Sequence, residues 1–104
     1  MEIHVEIGKQ AKQEIDEALV EEPMESAALV IHSGDPEVCC TVGFEVVLVE
    51  KRDVPSKGYV MVGEKNGWLI YIAEEITPSK PSRLVINVDR TNDRLAALFL
   101  SSDP

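Results

Sequence analysis

The chain has 104 residues, of which 44% are hydrophobic and 28% are charged, a composition typical of a globular protein. This length fits one domain, which we expect to span residues 1–104. Ten Lys and Arg residues oppose nineteen Asp and Glu residues and give a net charge of -9. Because a surface this acidic repels phosphate backbones and anionic lipid headgroups, we expect no nucleic-acid partner and no membrane partner.

The longest uninterrupted apolar runs, at residues 68–73 and 95–100, are far shorter than the ~20 residues that span a bilayer. The N-terminus shows no basic segment followed by an apolar run, so we expect no signal peptide and a cytoplasmic protein. In that compartment the two cysteines should be reduced unless they bind a metal or take part in redox chemistry.

The first part of the chain predicts one strand and one helix. Residues 1–7 alternate between apolar and polar side chains, which indicates a strand with His4 on its solvated face. Residues 9–22 carry an apolar stripe at helical spacing around Ile15 and Leu19, and Pro23 ends that pattern. The charges at the two ends of this helix oppose its dipole, so we expect packing on a sheet to stabilise it.

The rest of the chain predicts strands. Their expected ranges are 27–32, 42–50, 59–62, 68–72 and 83–88. Asn66 and Gly67 favour a tight hairpin between the third and fourth of these. Residues 91–100 fit either a capped helix or a strand paired with 83–88, and we favour the strand. Because short turns join successive strands, we predict an α+β fold: a mostly antiparallel, curled sheet of six or seven strands on one main helix.

The chain's metal-ligating chemistry centres on Cys39 and Cys40, with His32 upstream on the same predicted loop. Thiolates and imidazole bind zinc, Cu(I) and iron–sulfur clusters, so these three residues form a candidate metal site. Adjacent side chains at a strand entrance tend to point in opposite directions, however. One cysteine would then be buried as a small apolar residue and the pair would be structural, which leaves both interpretations open.

Three stretches resemble the HesB-like fold of the A-type iron–sulfur carriers: residues 39–44, 67–72 and 84–88, together with the helix at 9–22. The resemblance implies a non-catalytic protein that binds a metal or an iron–sulfur cluster. The family's carriers also have a Cys-Gly-Cys near the C-terminus, and this chain has no cysteine after Cys40. Cys39 or Cys40 is therefore the only position that carries over, and a homodimer would bring four thiolates together.

These observations leave three functional hypotheses. The first is a HesB-like metal-binding or iron–sulfur-binding accessory protein, with zinc or a cluster as cofactor and a homodimer as its assembly. The second is a non-catalytic interaction module or adaptor subunit for a basic protein partner. The third is a thiol redox protein, ranked last because Asp35 and Glu37 disfavour a thiolate nearby. No phosphate-binding loop or nucleophile elbow occurs in the sequence, so we expect no enzymatic activity.

Overall fold

A computed structural model describes residues 3–33, 43–89 and 93–101. Within them the chain forms one helix and seven strands, and two short 3-10 turns at Lys51–Asp53 and Glu74–Ile76. The elements are β1 (Ile3–Ile7), α1 (Lys9–Glu21), β2 (Ala27–His32), β3 (Phe44–Glu50), β4 (Tyr59–Lys65), β5 (Trp68–Ala73), β6 (Ser82–Asp89) and β7 (Arg94–Ser101). The predicted α+β class is confirmed, and the strand preferred for the last apolar run is confirmed by β7.

The seven strands form one sheet in the order β1-β6-β7-β3-β2-β5-β4. The expectation of a mostly antiparallel sheet is wrong, because β1 pairs with β6 in parallel and β2 pairs with β5 in parallel. The three pairs β2–β3, β4–β5 and β6–β7 are antiparallel. Short turns join the last two pairs, whereas the longer segment 33–43 joins β2 to β3. The other successive strands are connected through α1 or through a longer segment and are not neighbours in the sheet. These are the pairs β1 and β2, β3 and β4, and β5 and β6. The sheet is therefore mixed.

The sheet curls until its two outermost strands, β1 and β4, come close together. Their Cα atoms approach within 8 Å, and a Cβ placed on Gly63 would lie 3.8 Å from Cγ2 of Val5. No ladder pairing joins β1 to β4 among the described residues. The sheet is thus nearly closed, with a gap between its two edges that we call the β1–β4 seam.

The inner, concave face of the sheet packs on α1. Ala11 and Ile15 of the helix are buried in one cluster with apolar side chains from β1, β2, β3, β5, β6 and β7. No side chain caps the N-terminus of α1, and its end turns carry no charge that complements the dipole. The prediction that packing rather than local signals stabilises the helix is consistent with this arrangement. Those buried strand residues are Val5, Ala27, Leu29, Ile31, Val46, Trp68, Ile70, Ile72, Leu84, Ile86 and Ala97.

The outer face carries a second, smaller apolar layer. Ala28, Val30 and Ala73 are buried but lie outside the cluster that contains α1. The end of β3 pairs with the start of β2, whereas the start of β4 pairs with the end of β5. Residues 51–58 must therefore cross β2 and β5 lengthwise, and they run outside because α1 occupies the inner face. We attribute the burial of the three side chains to this crossover.

The predicted hairpin between residues 59–62 and 68–72 is confirmed as β4–β5. Asn66 has a φ of 55° and Gly67 a φ of 83°, the left-handed conformations that a tight turn needs. His4 is exposed on β1, as its place in the alternating pattern predicts. Within the described ranges, no helix has the length and hydrophobicity needed to cross a membrane.

Candidate functional site

His32 is the last residue of β2, and it lies opposite Glu45 of β3 in the ladder. Both side chains are partly buried. Because Ile31 points into the core beside the helix, the alternation of the strand places His32 and Glu45 on the outer face. Directly opposed residues of an antiparallel pair have Cβ atoms about 5 Å apart, so imidazole and carboxylate are neighbours here.

These two strand ends form the root of the hairpin that contains the predicted cysteines. Cys39 and Cys40 themselves lie outside the described residues, as do Asp35 and Glu37. Of the predicted metal ligands, the structure therefore places His32 alone. No group of three His, Cys, Asp or Glu side chains that could hold a metal ion occurs within residues 3–33, 43–89 and 93–101. A complete metal site would thus require the thiols.

Gly43 fixes the point at which the chain re-enters the sheet after the cysteines. Its φ is +88°, and a Cβ there would lie 2.4 Å from the carbonyl oxygen of Ala97 and 2.8 Å from Cδ2 of Leu98. Only glycine combines this backbone conformation with such a close approach to β7. The sequence analysis did not identify this constraint, because the contact joins residues far apart in the chain.

The other side of the hairpin root contacts the turn at Glu74–Ile76. The hydroxyl of Ser33 donates a long hydrogen bond of 3.4 Å to Oε1 of Glu75. A second carboxylate therefore lies at this end of the sheet, in addition to Glu45. Between Lys12 and Lys51 the sequence contains no lysine or arginine. The carboxylates of Glu45 and Glu75 at the hairpin root favour a bound cation over an anionic ligand.

The solvent-facing side of α1 is also strongly acidic. Its carboxylates are exposed, and Lys12 forms an ion pair with Asp16 at 3.0 Å. Val20 lies among them with 80% of its surface exposed, which is unusual for a large apolar side chain. The exposed acidic residues from the helix to the start of β2 are Glu14, Asp16, Glu17, Glu21, Glu22 and Glu25.

The seam between β1 and β4 is a feature that the sequence analysis missed. Val60 and Met61 of β4 are 40% and 55% exposed, although they belong to a run of consecutive apolar residues. That run breaks the alternation expected of a strand with one solvated face. This break in the alternation was the signal in the sequence for the position of β4 at the edge of the sheet.

Comparison with known protein families, with curated proteins and with solved structures finds no match to this chain.

Proposed function

We propose that this chain is a non-catalytic, cytoplasmic accessory protein that binds zinc or an iron–sulfur cluster at the β2–β3 hairpin. Cys39 and Cys40 would supply thiolates and His32 an imidazole, the donors that these metals prefer. The observation that supports the proposal is the ladder pairing of His32 with Glu45 at the root of the cysteine-bearing hairpin. Two metal-ligating side chains are thereby adjacent on a rigid pair of strands.

The number of ligands sets the stoichiometry of this proposal. A structural zinc site takes four ligands, and one chain would offer two thiolates, one imidazole and Glu45. A homodimer that joins two hairpins would instead offer four thiolates, which suits either zinc or an iron–sulfur cluster. Size-exclusion chromatography with mass determination distinguishes the monomer from the dimer. Elemental analysis distinguishes them independently, because one zinc ion per chain in the first becomes one per two chains in the second.

The test is metal analysis of protein purified without oxygen. We expect stoichiometric zinc, or iron with sulfide and a visible absorption band, in the wild type. The double variant Cys39→Ser, Cys40→Ser should lose the metal, and His32→Asn should bind it more weakly. His4→Asn is the matched control, because His4 is exposed on β1 and is the chain's other histidine.

Two results would contradict the metal proposal. One is wild-type protein without zinc or iron, and the other is a metal content that the double cysteine variant leaves unchanged. Alkylation of one thiol faster than a free-cysteine peptide at neutral pH would favour the thiol redox hypothesis instead.

A second candidate function is that of an interaction module for a basic protein partner, and the exposed face of α1 favours it. Val20 offers an apolar contact, and the surrounding carboxylates offer charge complementarity. We expect a partner purified with the wild type to be released by high salt and lost when Glu17 and Glu21 are both changed to Gln. Retention of the partner by this variant would contradict the role of the helix face.

A further inference from the structure

The β1–β4 seam has two different ends. At one end the strands approach closely, with Gly63 beside Val5. The pairing of β4 with β5 then shifts between Met61 and Gly63, which marks a bulge at Val62. A bulge bends its strand and increases the local twist.

A cleft of about 330 Å³ lies between Ile3 of β1 and residues 60–62 of β4, and we call it the open end of the seam. Four apolar side chains and one threonine line it: Ile3, Val60, Met61, Val62 and Thr77. Val60 and Met61 expose much of their surface there. This volume lies at the lower end of the range for ligand pockets, roughly 300–1,000 Å³. It can therefore hold one or two apolar side chains of a ligand.

The backbone at the open end is an unpaired strand edge. Within the described part of the chain, β4 pairs with β5 on one side and with no strand on the other. Soluble proteins protect such edges with charged residues, prolines or short strands, because free N–H and C=O groups recruit other strands. The residues from Tyr59 to Val62 include no charge and no proline, and the charged residues of β4, Glu64 and Lys65, lie at its hairpin end.

The net charge of the chain favours a basic ligand at the open end. The N–H of Glu74 donates a 2.9 Å hydrogen bond to the carbonyl of Gly58, which places the turn Glu74–Ile76 beside the start of β4. Glu74 and Glu75 are exposed there, as are Lys57 and Lys80. A second copy of this chain would bring the same net charge of -9, so a basic partner is the better match.

We propose that the open end of the seam binds an extended peptide segment of a partner protein, which adds a strand to β4 between Tyr59 and Val62. An apolar side chain of the peptide fills the cleft, and flanking lysine or arginine residues meet Glu74 and Glu75. Main-chain hydrogen bonds supply affinity and the cleft supplies specificity, as in other cases of strand addition. The proposal does not require the cysteines or His32.

The test selects ligands from a displayed library of random peptides of about eight residues, the length of a short added strand. The library is panned on wild-type protein and depleted on the Val60→Lys variant, which charges the edge. We expect enriched peptides to alternate apolar residues with Lys or Arg. A synthetic enriched peptide should bind Val60→Lys about tenfold more weakly than wild type, the loss of one central anchor.

The matched control is Leu98→Lys on the outer face of β7, because Leu98 is 41% exposed and Val60 is 40% exposed. The Leu98→Lys variant should bind the peptide with the affinity of the wild type. Both the Leu98→Lys and the Val60→Lys variants should unfold at the same denaturant concentration as the wild type. Amide exchange should slow at residues 59–62 when the peptide is bound. The double variant Cys39→Ser, Cys40→Ser should bind the peptide normally, so a failed metal test leaves this one valid.

Four results would overturn the proposal. The first is a library that yields no peptide able to distinguish wild type from Val60→Lys, and the second is a Leu98→Lys variant that weakens binding as much as Val60→Lys. The third is equal binding of a peptide with the same side chains but N-methylated amides, which excludes strand addition. Finally, a wild-type dimer that Val60→Lys converts to a monomer would identify a second copy as the occupant.

Discussion

Strands β2 and β4 belong to the same sheet but have opposite environments. Five of the six residues of β2 are buried, and α1 packs on its inner face. We attribute the burial of its outer face to the crossover at residues 51–58. No residue of β4 is fully buried, and its outer edge is unpaired within the described chain. The comparison separates two tasks within one sheet: β2 contributes stability, whereas β4 presents backbone and apolar side chains to solvent.

The sequences of the two strands reflect this division. In β2 an uninterrupted apolar run precedes His32, which is the pattern of a strand buried on both faces. In β4 a shorter apolar run leads into Gly63, Glu64 and Lys65. An apolar run alone does not distinguish a buried strand from an exposed one. The burial of a strand depends on which other elements pack on its two faces.

The largest expected effect comes from truncating the centre of β2. Leu29→Ala should lower the free energy of unfolding by about 2–5 kcal/mol, because the fully buried side chain leaves a cavity that its neighbours cannot fill. Urea unfolding followed by the fluorescence of Trp68 measures it, since this is the chain's one tryptophan. Val60→Ala on β4 should cost under about 1 kcal/mol. Equal losses for the two variants would contradict the division of tasks.

A comparable effect is expected where the cysteine-bearing hairpin re-enters the sheet. Gly43→Ala should cost about 1–3 kcal/mol from its strained backbone alone, and more from the contact with Ala97. Gly58→Ala is the matched control, because Gly58 has nearly the same φ, +87°, with nothing within 4 Å of its Cβ position. The difference between the two unfolding free energies isolates the close contact. Identical values would show that the loop relaxes away from β7.

The outer layer of β2 should contribute less than the inner one. Val30→Ala removes two methyl groups from a buried site and should cost about 1–2 kcal/mol. If the crossover covers this residue, the double variant with Val54→Ala should show a coupling energy of about 0.5 kcal/mol or more. Val54 is partly buried in the middle of the crossover. Strict additivity of the two substitutions would place the crossover elsewhere.

The smallest effect is expected at the ion pair between β1 and β6. Arg83 and Glu6 approach within 2.7 Å, but their side chains are 45% and 41% exposed. A double-mutant cycle with Arg83→Gln and Glu6→Gln should give about 0.2–1 kcal/mol, and high salt should reduce it. A larger value that salt does not change would mean that this pair anchors β1 and so controls the width of the seam.

The parts of the fold that depend on neighbouring residues could be predicted from the sequence. The helix and the β4–β5 hairpin at Asn66-Gly67 follow from local periodicity and turn chemistry, whereas local signals at residues 91–100 fit a helix as well as the observed strand Arg94–Ser101. The two parallel pairings could not be predicted in the same way, because their partners are distant in sequence. No local pattern in Ile3–Ile7 indicates that Ser82–Asp89 will be its neighbour.

The candidate site shows the same limit. The position of His32 at the end of a strand was predicted from the apolar run and the turn that follows it. Its pairing with Glu45 depends on the register of β2 and β3, which the long hairpin between them does not specify. The need for glycine at position 43 depends on β7, which is later still in the chain.

The pairing of Ile3 with Ser82 has a consequence for synthesis of the chain. β1 and α1 precede β6 in the chain, so they are synthesised before the strand on which both pack. Until β6 has been made, the Ala11–Ile15 stripe of the helix lacks part of its packing surface. Long-range contacts of this kind slow folding and expose apolar surface during it. We consequently expect molecular chaperones to bind β1 and α1 of the nascent chain until β6 has been synthesised.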